Sequence, residues 1–382
     1  MSTNPAAWSR RLFLSAAPAL LAAPRAQVDP IRVITRHPNH YHAWATLARR
    51  KNGHLVAAYS GGREGHVCPF GRIEIIRSTD DGLTWSYPQI IMDTPIDDRD
   101  AGIVETPNGS ILVNTFTSLA YERILADTKG WDADRLERWQ SVQRATTQEQ
   151  RQSLVGSWML RSVDGGLTWS PPYRVPATAP HGPVVLSDGR LLFAGKEHPA
   201  STRRAGVWES TDDGLTWRLL SWIPGRPGDD TVHYHELHAV ETADHRIVVH
   251  IRNHNKVNER ETLQCESSDG GKTWSIPRPI GVWGLPSHLI RLRDNRLLMS
   301  YGYRRPPRGN HARISEDHGR TWSDPIVLSD DGTGDIGYPS TVESPNRQLL
   351  TLWYESKRSG ASVVKLPDPP FSVLRLARWT LS

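Results

Sequence analysis

Cysteine is scarce in this chain, and several other features that would narrow its function are missing. The 382 residues include only two cysteines, Cys68 and Cys265. Two cysteines so far apart form neither a disulfide framework nor a CxxC metal pair, although a single bridge between them stays open. No Lys/Arg-rich run interleaved with aromatic residues is present, and the net charge of +5 is mild, so nucleic acid is not an expected partner. We also find no sequence signature of a bound cofactor.

Long apolar runs are missing too, and the longest candidate lies near the N-terminus. The segment SRRLFL at residues 9–14 opens an apolar stretch that ends at Ala23. About 12 apolar residues are too few to span a bilayer comfortably. A charged start, a short apolar segment and small residues up to Ala26 are typical of a twin-arginine signal peptide. We therefore predict an export signal at residues 1–26, a folded part at residues 27–382, no stable membrane span, and a periplasmic or extracellular location.

Phenylalanine is rare and tryptophan is common, with 5 Phe against 15 Trp. Much of the excess comes from one turn sequence, Ser-x-Asp-x-Gly-x-Thr-Trp. Its five copies begin at Ser78, Ser162, Ser210, Ser267 and Ser315. The Asp side chain of such a turn can accept hydrogen bonds from backbone N–H groups, and Gly permits a positive φ. We predict that the turn is structural and that its Trp packs between neighbouring sheets.

A second repeat is a series of hairpin tips, each followed by an apolar strand. The tips are Asn52-Gly53, Asn108-Gly109, Asp188-Gly189, Asp244-His245, Asp294-Asn295 and Asn346-Arg347. Asn-Gly and Asp-Gly between apolar runs are strong hairpin signals. Six copies about 50 residues apart predict an all-β fold, a six-bladed β-propeller with about four strands in each blade.

The longest interval between tips and the two ends of the repeat array need separate interpretation. Residues 119–154 are polar, poor in glycine and helix-prone, so we predict a short helical insertion in the second blade region. It forms either a lid or wall of the site or an inert surface decoration. Residues 31–35 and 371–379 are expected to meet in one sheet and close the ring, because closure leaves no open sheet edge.

The start of each inner strand, about eight residues before its hairpin tip, is expected to face the mouth of the propeller. Polar or titratable residues occupy these positions: His42, Asp98, Asp100, His181, Glu236, His288 and Tyr338. The strand after the tip returns to the same face and brings charged residues such as Arg63, Arg252 and Arg304, with Arg308 just beyond the fifth-blade strand. Arginines around a mouth suggest a carboxylate or sulfate ligand, because guanidinium binds such groups bidentately.

The run HYHELH at residues 233–238 has the composition of a metal site. It is not an HExxH motif, and it is predicted at a strand entry instead of on a helix. On a strand, His233 and His235 share one face while His238 takes the other. We therefore predict no metal here and favour substrate contact or acid–base work.

Five Ser-x-Asp-x-Gly-x-Thr-Trp turns in a six-fold repeat resemble the sialidase (neuraminidase) superfamily, over roughly residues 31–381. HELHAVET at residues 235–242 and GYPS at residues 337–340 are similar to the family segments that carry its catalytic Glu and its nucleophilic Tyr. The resemblance implies that Tyr338 attacks the anomeric carbon and that Glu236 takes its proton. It also implies an arginine clamp on a substrate carboxylate, formed by Arg252 and Arg308.

Two positions depart from the family pattern. His42 stands where the family has one arginine of its carboxylate triad, and no Asp stands near His66, where the family has its acid. Four residues could substitute for this missing acid: Arg63, His66, Asp98 and Asp100.

Together these features predict an exported exo-glycosidase of sialidase type that releases a terminal acidic sugar, sialic acid or a uronate-like sugar, from glycans. The predicted catalytic residues are Tyr338, Glu236, Asp100 and His42. The predicted substrate-binding residues are Arg63, His181, Arg252, His288 and Arg308. Two alternatives stay open: a uronate-glycan lyase in which His42 or Tyr338 abstracts the proton beside a neutralised carboxylate, and a non-catalytic glycan-binding propeller. The many titratable mouth residues favour an enzyme.

Overall fold

Six antiparallel sheets form the six blades of a β-propeller, as predicted. The computed structural model describes residues 25–37, 39–198, 203–356 and 371–381. The predicted signal peptide lies almost wholly outside these described residues. Two short strands open the described chain, β1 (Ala26–Val28) and β2 (Arg32–Val33).

The first three blades follow in chain order. Blade one contains β3 (Tyr41–Arg49), β4 (Leu55–Arg63), β5 (Arg72–Ser78) and β6 (Gln89–Met92). Blade two contains β7 (Asp97–Glu105), β8 (Ile111–Ser118), β9 (Ser157–Ser162) and β10 (Tyr173–Arg174). Blade three contains β11 (Ala177–Thr178), β12 (Val184–Val185), β13 (Leu191–Glu197), β14 (Ala205–Ser210) and β15 (Arg218–Trp222).

The last three blades complete the ring. After a 3₁₀ turn at Thr231–His233, blade four contains β16 (Tyr234–Glu241), β17 (Ile247–Asn253), β18 (Thr262–Ser267) and β19 (Arg278–Pro279). Blade five contains β20 (Ser287–Arg291), β21 (Leu297–Tyr303), β22 (Arg308–Ser315) and β23 (Ile326–Gly332). Blade six contains β24 (Ile336–Glu343), β25 (Leu349–Ser356) and β26 (Ser372–Leu381).

Both ends of the described chain belong to blade six. Strand β26 pairs with β25 on one side and with β1 and β2 on the other. The pairing of Arg32 with Leu376 confirms the predicted closure of the ring. It also covers an edge of β26 that would otherwise present unpaired N–H and C=O groups.

The predicted insertion is helical. It consists of α1 (Ala120–Leu125), α2 (Ala133–Arg144) and α3 (Gln148–Leu154). Asp132 caps the N-terminus of α2, and Thr147 forms a capping box with Gln150 at the start of α3, so both helices begin at residues whose side chains satisfy free N–H groups. None of the described helices has the length and apolarity needed to cross a membrane.

The repeated turn has the predicted structural chemistry in all five copies. In the first, Asp80 accepts hydrogen bonds from the backbone N–H of Thr84 at 2.9 Å and from its hydroxyl at 2.5 Å. Ser78 donates to Asp80, and its hydroxyl oxygen accepts from the N–H of Gly82. The Trp that ends this copy, Trp85, is buried in a cluster shared by blades one and six. The turns thus lock the outer strands and fill the gaps between blades.

A second contact joins the blades in pairs, and it starts from the ends of the inner strands of blades two, four and six. Glu105, Glu241 and Glu343 close β7, β16 and β24. Each carboxylate accepts a hydrogen bond from a backbone N–H at the hairpin tip of the preceding blade: Lys51 at 2.5 Å, Ser187 at 2.6 Å and Arg293 at 2.7 Å. These contacts fix the inner strands relative to one another, and the start of those strands forms the mouth.

The two cysteines are not bridged. Cys68 and Cys265 are both free and buried, and they belong to separate apolar clusters. The bridge left open above does not form.

Candidate active site

Four of the six inner strands begin with the same irregularity. Their pairing register shifts near Trp44, Asp100, Glu236 and Tyr338. Each of these residues has a positive φ, between 44° and 55°. A bulge of this kind re-aims a side chain, and left-handed backbone at a non-glycine residue is typical of functional sites. The propeller therefore presents one side chain per bulge at the mouth, and each lies eight residues before its hairpin tip.

Tyr338 and Glu236 meet across the mouth from blades six and four. The Tyr338 hydroxyl donates to Glu236 Oε1 at 2.6 Å. Arg252, from the end of β17, donates through Nη1 to Glu236 Oε2 at 2.6 Å and to the Tyr338 hydroxyl at 3.3 Å. The phenol thus has a carboxylate beside it to accept its proton and a guanidinium beside it to stabilise the resulting charge.

The ionisation of this trio suits a base that activates a phenol. Burial and the charge of Glu236 raise the pKa of Tyr338 well above its usual range. Burial alone would raise the pKa of Glu236, but the charge and hydrogen bond of Arg252 and the hydrogen bond from Tyr338 lower it overall. The resting pair is therefore a carboxylate and a neutral phenol.

Asp100 lies beside this pair, on the second-blade bulge. It is 7% exposed, and among the described residues its carboxyl has no hydrogen-bonding partner. Burial, with a further contribution from Glu236, raises the pKa of Asp100 to about 7 against the opposing charge of Arg99. A carboxylic acid that keeps its proton near neutral pH has the property of a general acid.

A second polar cluster supports the mouth around Asp335, which the sequence did not single out. Asp335 Oδ2 accepts from the hydroxyls of Tyr41 and Tyr354, each at 2.8 Å, and from His66 Nδ1 at 2.9 Å. Arg304 Nη2 lies 3.3 Å from Asp335 Oδ1. Burial opposes ionisation, but the hydrogen bond from His66 and the charge of Arg304 hold the pKa of Asp335 well below its usual range. This carboxylate is therefore a fixed negative charge.

Arg63 and Trp44 occupy the first-blade side of the mouth. Arg63 is fully buried and lies 2.7 Å from Asp97. Its guanidinium carbon is 4.8 Å from the centre of the Trp44 ring, and that of Arg99 is 4.2 Å from it. Both guanidinium groups therefore pack on the tryptophan, and Trp44 takes the position in blade one that Tyr338 takes in blade six.

His42 lies two residues before that bulge and on another side of the strand. Its Nε2 is 2.8 Å from the carbonyl oxygen of His37, and its ring contacts Tyr59 edge-on. Burial lowers the pKa of His42 to about 4. No described contact joins it to the Tyr338 trio, so the structure does not bring this predicted residue to the mouth.

His181 and His288 lie one layer below the mouth, together with His238. The ring centre of His181 is 4.9 Å from that of His288 and 5.5 Å from that of His238. His181 also lies under Tyr338, at 6.4 Å between ring centres. Burial lowers the pKa of all three well below its usual range, so they form a neutral floor. Among the described residues no group of three His, Cys, Asp or Glu side chains is arranged to hold a metal ion.

Arg308 lies at the exposed rim, where Nη1 is 3.4 Å from the carbonyl oxygen of Gly334. The fifth-blade arginine that reaches the trio is Arg304, whose guanidinium carbon is 6.0 Å from the centre of the Tyr338 ring. Sequence reasoning placed Arg304 at the mouth as a strand-end residue but chose Arg308 by its spacing. For Asp335 the sequence offered only one clue, its position three residues before Tyr338.

The helical insertion supports the loop that carries His66. Glu64, in that loop, accepts from Trp139 Nε1 at 2.9 Å, from Arg138 Nε at 2.9 Å and from Arg135 Nε at 3.2 Å. Apolar side chains of the insertion pack against Cys68 in the same loop. Of the two interpretations above, the contacts favour a wall that stands behind one side of the mouth.

Comparison with known proteins agrees with this fold. The BNR repeat-like domain family matches residues 53–350. A sialidase of Bacteroides fragilis (strain YCH46) is 26% identical over an alignment of 330 residues, which covers 78% of this chain and 56% of that protein. The chain thus spans little more than half the length of that relative.

Two solved structures share the propeller. A protein of unknown function from Dyadobacter fermentans DSM 18053 has a TM-score of 0.73 and 24% identity, covering 94% of this chain and 99% of that one. The NanB sialidase of Streptococcus pneumoniae has a TM-score of 0.68 and 15% identity, covering 92% of this chain and 71% of that one. At these identities the likeness shows a common fold.

Proposed function

The chain belongs to the BNR repeat-like domain family, and from this membership and the contacts at its mouth we propose that it is a glycoside hydrolase that forms a covalent bond to Tyr338. The observation that carries the proposal is the Tyr338–Glu236–Arg252 trio, with its two 2.6 Å contacts. A neutral phenol with an adjacent ionised carboxylate and a guanidinium is an activated nucleophile.

The proposed reaction has two displacements. In the first, Tyr338 Oη bonds to the anomeric carbon, its proton moves to Glu236, and the leaving-group oxygen departs with a proton from Asp100. In the second, water attacks the same carbon, Asp100 takes a proton from that water, and Tyr338 Oη leaves as the phenol with the proton held by Glu236. Two inversions give net retention of configuration.

We propose a terminal acidic sugar, sialic acid or a uronate, as the group released. A phenol suits such a substrate, because a carboxylate nucleophile would repel the sugar's own carboxylate. Arg252 beside Tyr338 supports this choice, since it places a positive charge at the reacting centre. We also propose export to the periplasm or the medium, which rests on the twin-arginine pattern at residues 9–14.

A panel of aryl glycosides tests the function directly. We expect release of the aryl group from at least one acidic sugar, sialic acid, glucuronic acid or galacturonic acid, with neutral sugars as controls. Proton NMR of the first-formed product should show the anomer of the substrate. Inversion, or no cleavage across the panel, would overturn the proposal. An unsaturated product that absorbs in the ultraviolet would identify a lyase instead.

Asp100→Asn should remove the proton for the leaving group. We expect kcat/KM to fall about 10²-fold for alkyl glycosides, whose leaving groups need protonation, and much less for activated aryl glycosides. Asp100 is active as the protonated acid, so wild-type activity should fall as the pH rises through about 7. The variant should lack that alkaline limb when kcat is measured at saturating substrate from pH 5 to 9, where losses in substrate binding do not contribute.

Asp98→Asn is the matched control for this experiment. Burial raises the pKa of Asp98 to about 8, but its carboxyl accepts from the N–H and hydroxyl of Thr94 and does not contact the trio. The control should keep the alkaline limb. If both variants keep it, Asp100 is not the acid.

A further inference from the structure

Lys196, at the end of β13, is a buried cation at the edge of the mouth. It is 9% exposed. Its ammonium donates to the carbonyl oxygen of Val232 at 2.5 Å and approaches His235 Nδ1 at 3.2 Å. Within the described part of the chain it forms no ion pair with a carboxylate. Because an ammonium has three N–H donors, one of them is left for a further partner.

Lys196 is joined to the catalytic trio by two histidines. The ring centres of His235 and His254 are 4.8 Å apart. Arg252 Nε donates to His254 Nε2 at 2.8 Å. The row Lys196–His235–His254–Arg252, here called the cationic wall, therefore runs across blades three and four as far as Tyr338.

The hydrogen bonds along the cationic wall leave it rich in donors. His254 Nε2 must be an unprotonated acceptor for Arg252, so the neutral ring carries its hydrogen on Nδ1. The lysine likewise donates to one nitrogen of His235, which leaves the hydrogen on the other. Burial lowers the pKa of both histidines, that of His235 to about 3. The wall thus offers the third N–H of Lys196 and two ring N–H groups.

The arginines on the other side of the mouth are already paired with carboxylates. Arg304 is paired with Asp335 and Arg63 with Asp97, so these arginines are already neutralised. Asp100 keeps its proton near neutral pH and adds no cation there. An anionic group of a substrate is therefore attracted more strongly to the cationic wall than to that side.

We propose that Lys196, His235 and His254 bind an anionic group of the glycan substrate, a carboxylate or a sulfate, beside the Tyr338 site. This assignment rests on the proposed glycosidase function, because it takes the ligand to be part of the substrate. Carboxylate and sulfate oxygens only accept hydrogen bonds, as a donor-rich wall requires. The bound anion would also compensate the buried ammonium, which is otherwise costly to desolvate.

Binding measured without turnover separates this assignment from the catalytic one. Isothermal titration calorimetry would compare glucuronic acid with glucose, and N-acetylglucosamine 6-sulfate with N-acetylglucosamine. We expect at least one anionic sugar to bind 10-fold or more tightly than its neutral parent. Preference for the uronate or for the sulfate identifies which group the wall takes. Equal binding of anionic and neutral sugars in both pairs would overturn the assignment.

Lys196→Met should abolish that preference, and Lys272→Met, a lysine in an exposed turn, should retain it. A retained preference in Lys196→Met contradicts the assignment. The protein could also bind anionic sugars in a way that depends on Lys196 and yet cleave no glycoside. That result would support the cationic wall as a binding site and refute the proposed hydrolysis.

The wild-type protein provides a second readout that needs no variant. Burial, followed by the charge of Arg203, lowers the pKa of Lys196 to about 8, against Asp230 and Glu236. The N-acetylglucosamine 6-sulfate group stays anionic throughout, and His235 and His254 stay neutral. Affinity for it should therefore fall about 10-fold between pH 7 and pH 9 as the lysine loses its proton. Unchanged affinity over that range would exclude Lys196 as the partner.

Discussion

Tyr338→Phe is expected to lower kcat/KM by at least about 10³-fold, because it removes the atom that bonds to the anomeric carbon. The ring should stay in place, since its contacts with Trp44 and Tyr354 do not use the hydroxyl. The lost hydrogen bond to Glu236 is worth about 1.5–3 kcal/mol at most, so the variant should remain folded. Initial rates on the best aryl glycoside, with thermal unfolding measured in parallel, test both points.

Tyr121→Phe is a suitable control for this variant. Tyr121 is fully buried in the insertion, and its hydroxyl has no hydrogen-bond partner among the described residues. The Tyr121→Phe variant loses the same hydroxyl group away from the mouth, so its kcat/KM should equal that of the wild type. Full activity in Tyr338→Phe would eliminate the phenol as the nucleophile.

Glu236→Gln should have the next largest effect, a loss of about 10²–10⁴-fold in kcat. Glutamine keeps the shape of the side chain but cannot accept the phenolic proton. It also leaves Arg252 without its closest negative charge, so the guanidinium no longer balances a carboxylate as the reaction proceeds. Steady-state kinetics should show the loss mainly in kcat, because substrate contacts with Arg252 remain possible.

Glu241→Gln, at the other end of the same strand, controls for the chemical change. Its carboxylate accepts from Ser187 at a hairpin tip, so the variant should lose some stability and keep its kcat.

The double variant Tyr338→Phe/Glu236→Gln should be no slower than the worse single variant, because the two residues act as one unit. Additive losses would indicate two independent roles.

The architecture was largely predictable because it repeats. The Ser-x-Asp turns and the hairpin tips mark the outer and inner edges of each blade, and their spacing counts the blades. The same count placed Asp100, Glu236 and Tyr338 eight residues before their tips, where the structure has its bulges. A repeated element therefore predicted positions as well as fold.

Residues near the bulges were harder to place. Strand β3 has two register shifts between Tyr41 and Thr46, and each shift changes the face to which later side chains point. His42 therefore packs on Tyr59, although it lies only two residues from Trp44. Motif spacing alone does not detect such shifts.

Residues in irregular connections left little signal. Asp335 precedes β24 and occupies no periodic position, and Arg304, just after β21, was expected at the mouth only as one of several strand-end charges. Arg304 joins blades five and six through this pair and through a hydrogen bond from its Nε to the carbonyl oxygen of Ile336. Arg308, selected by spacing, lies at the rim, because the loop between β21 and β22 decides which arginine turns inward.

Trapping the intermediate tests the central claim most directly. An activated glycoside of the sugar that the enzyme cleaves fastest, with fluorine beside the anomeric carbon, should react once and then hydrolyse slowly, since fluorine destabilises the oxocarbenium-like transition state. Mass spectrometry of a proteolytic digest should find the added sugar on the peptide that contains Tyr338, and on no other. A sugar attached to Glu236, or steady turnover with no labelled peptide, would contradict the account.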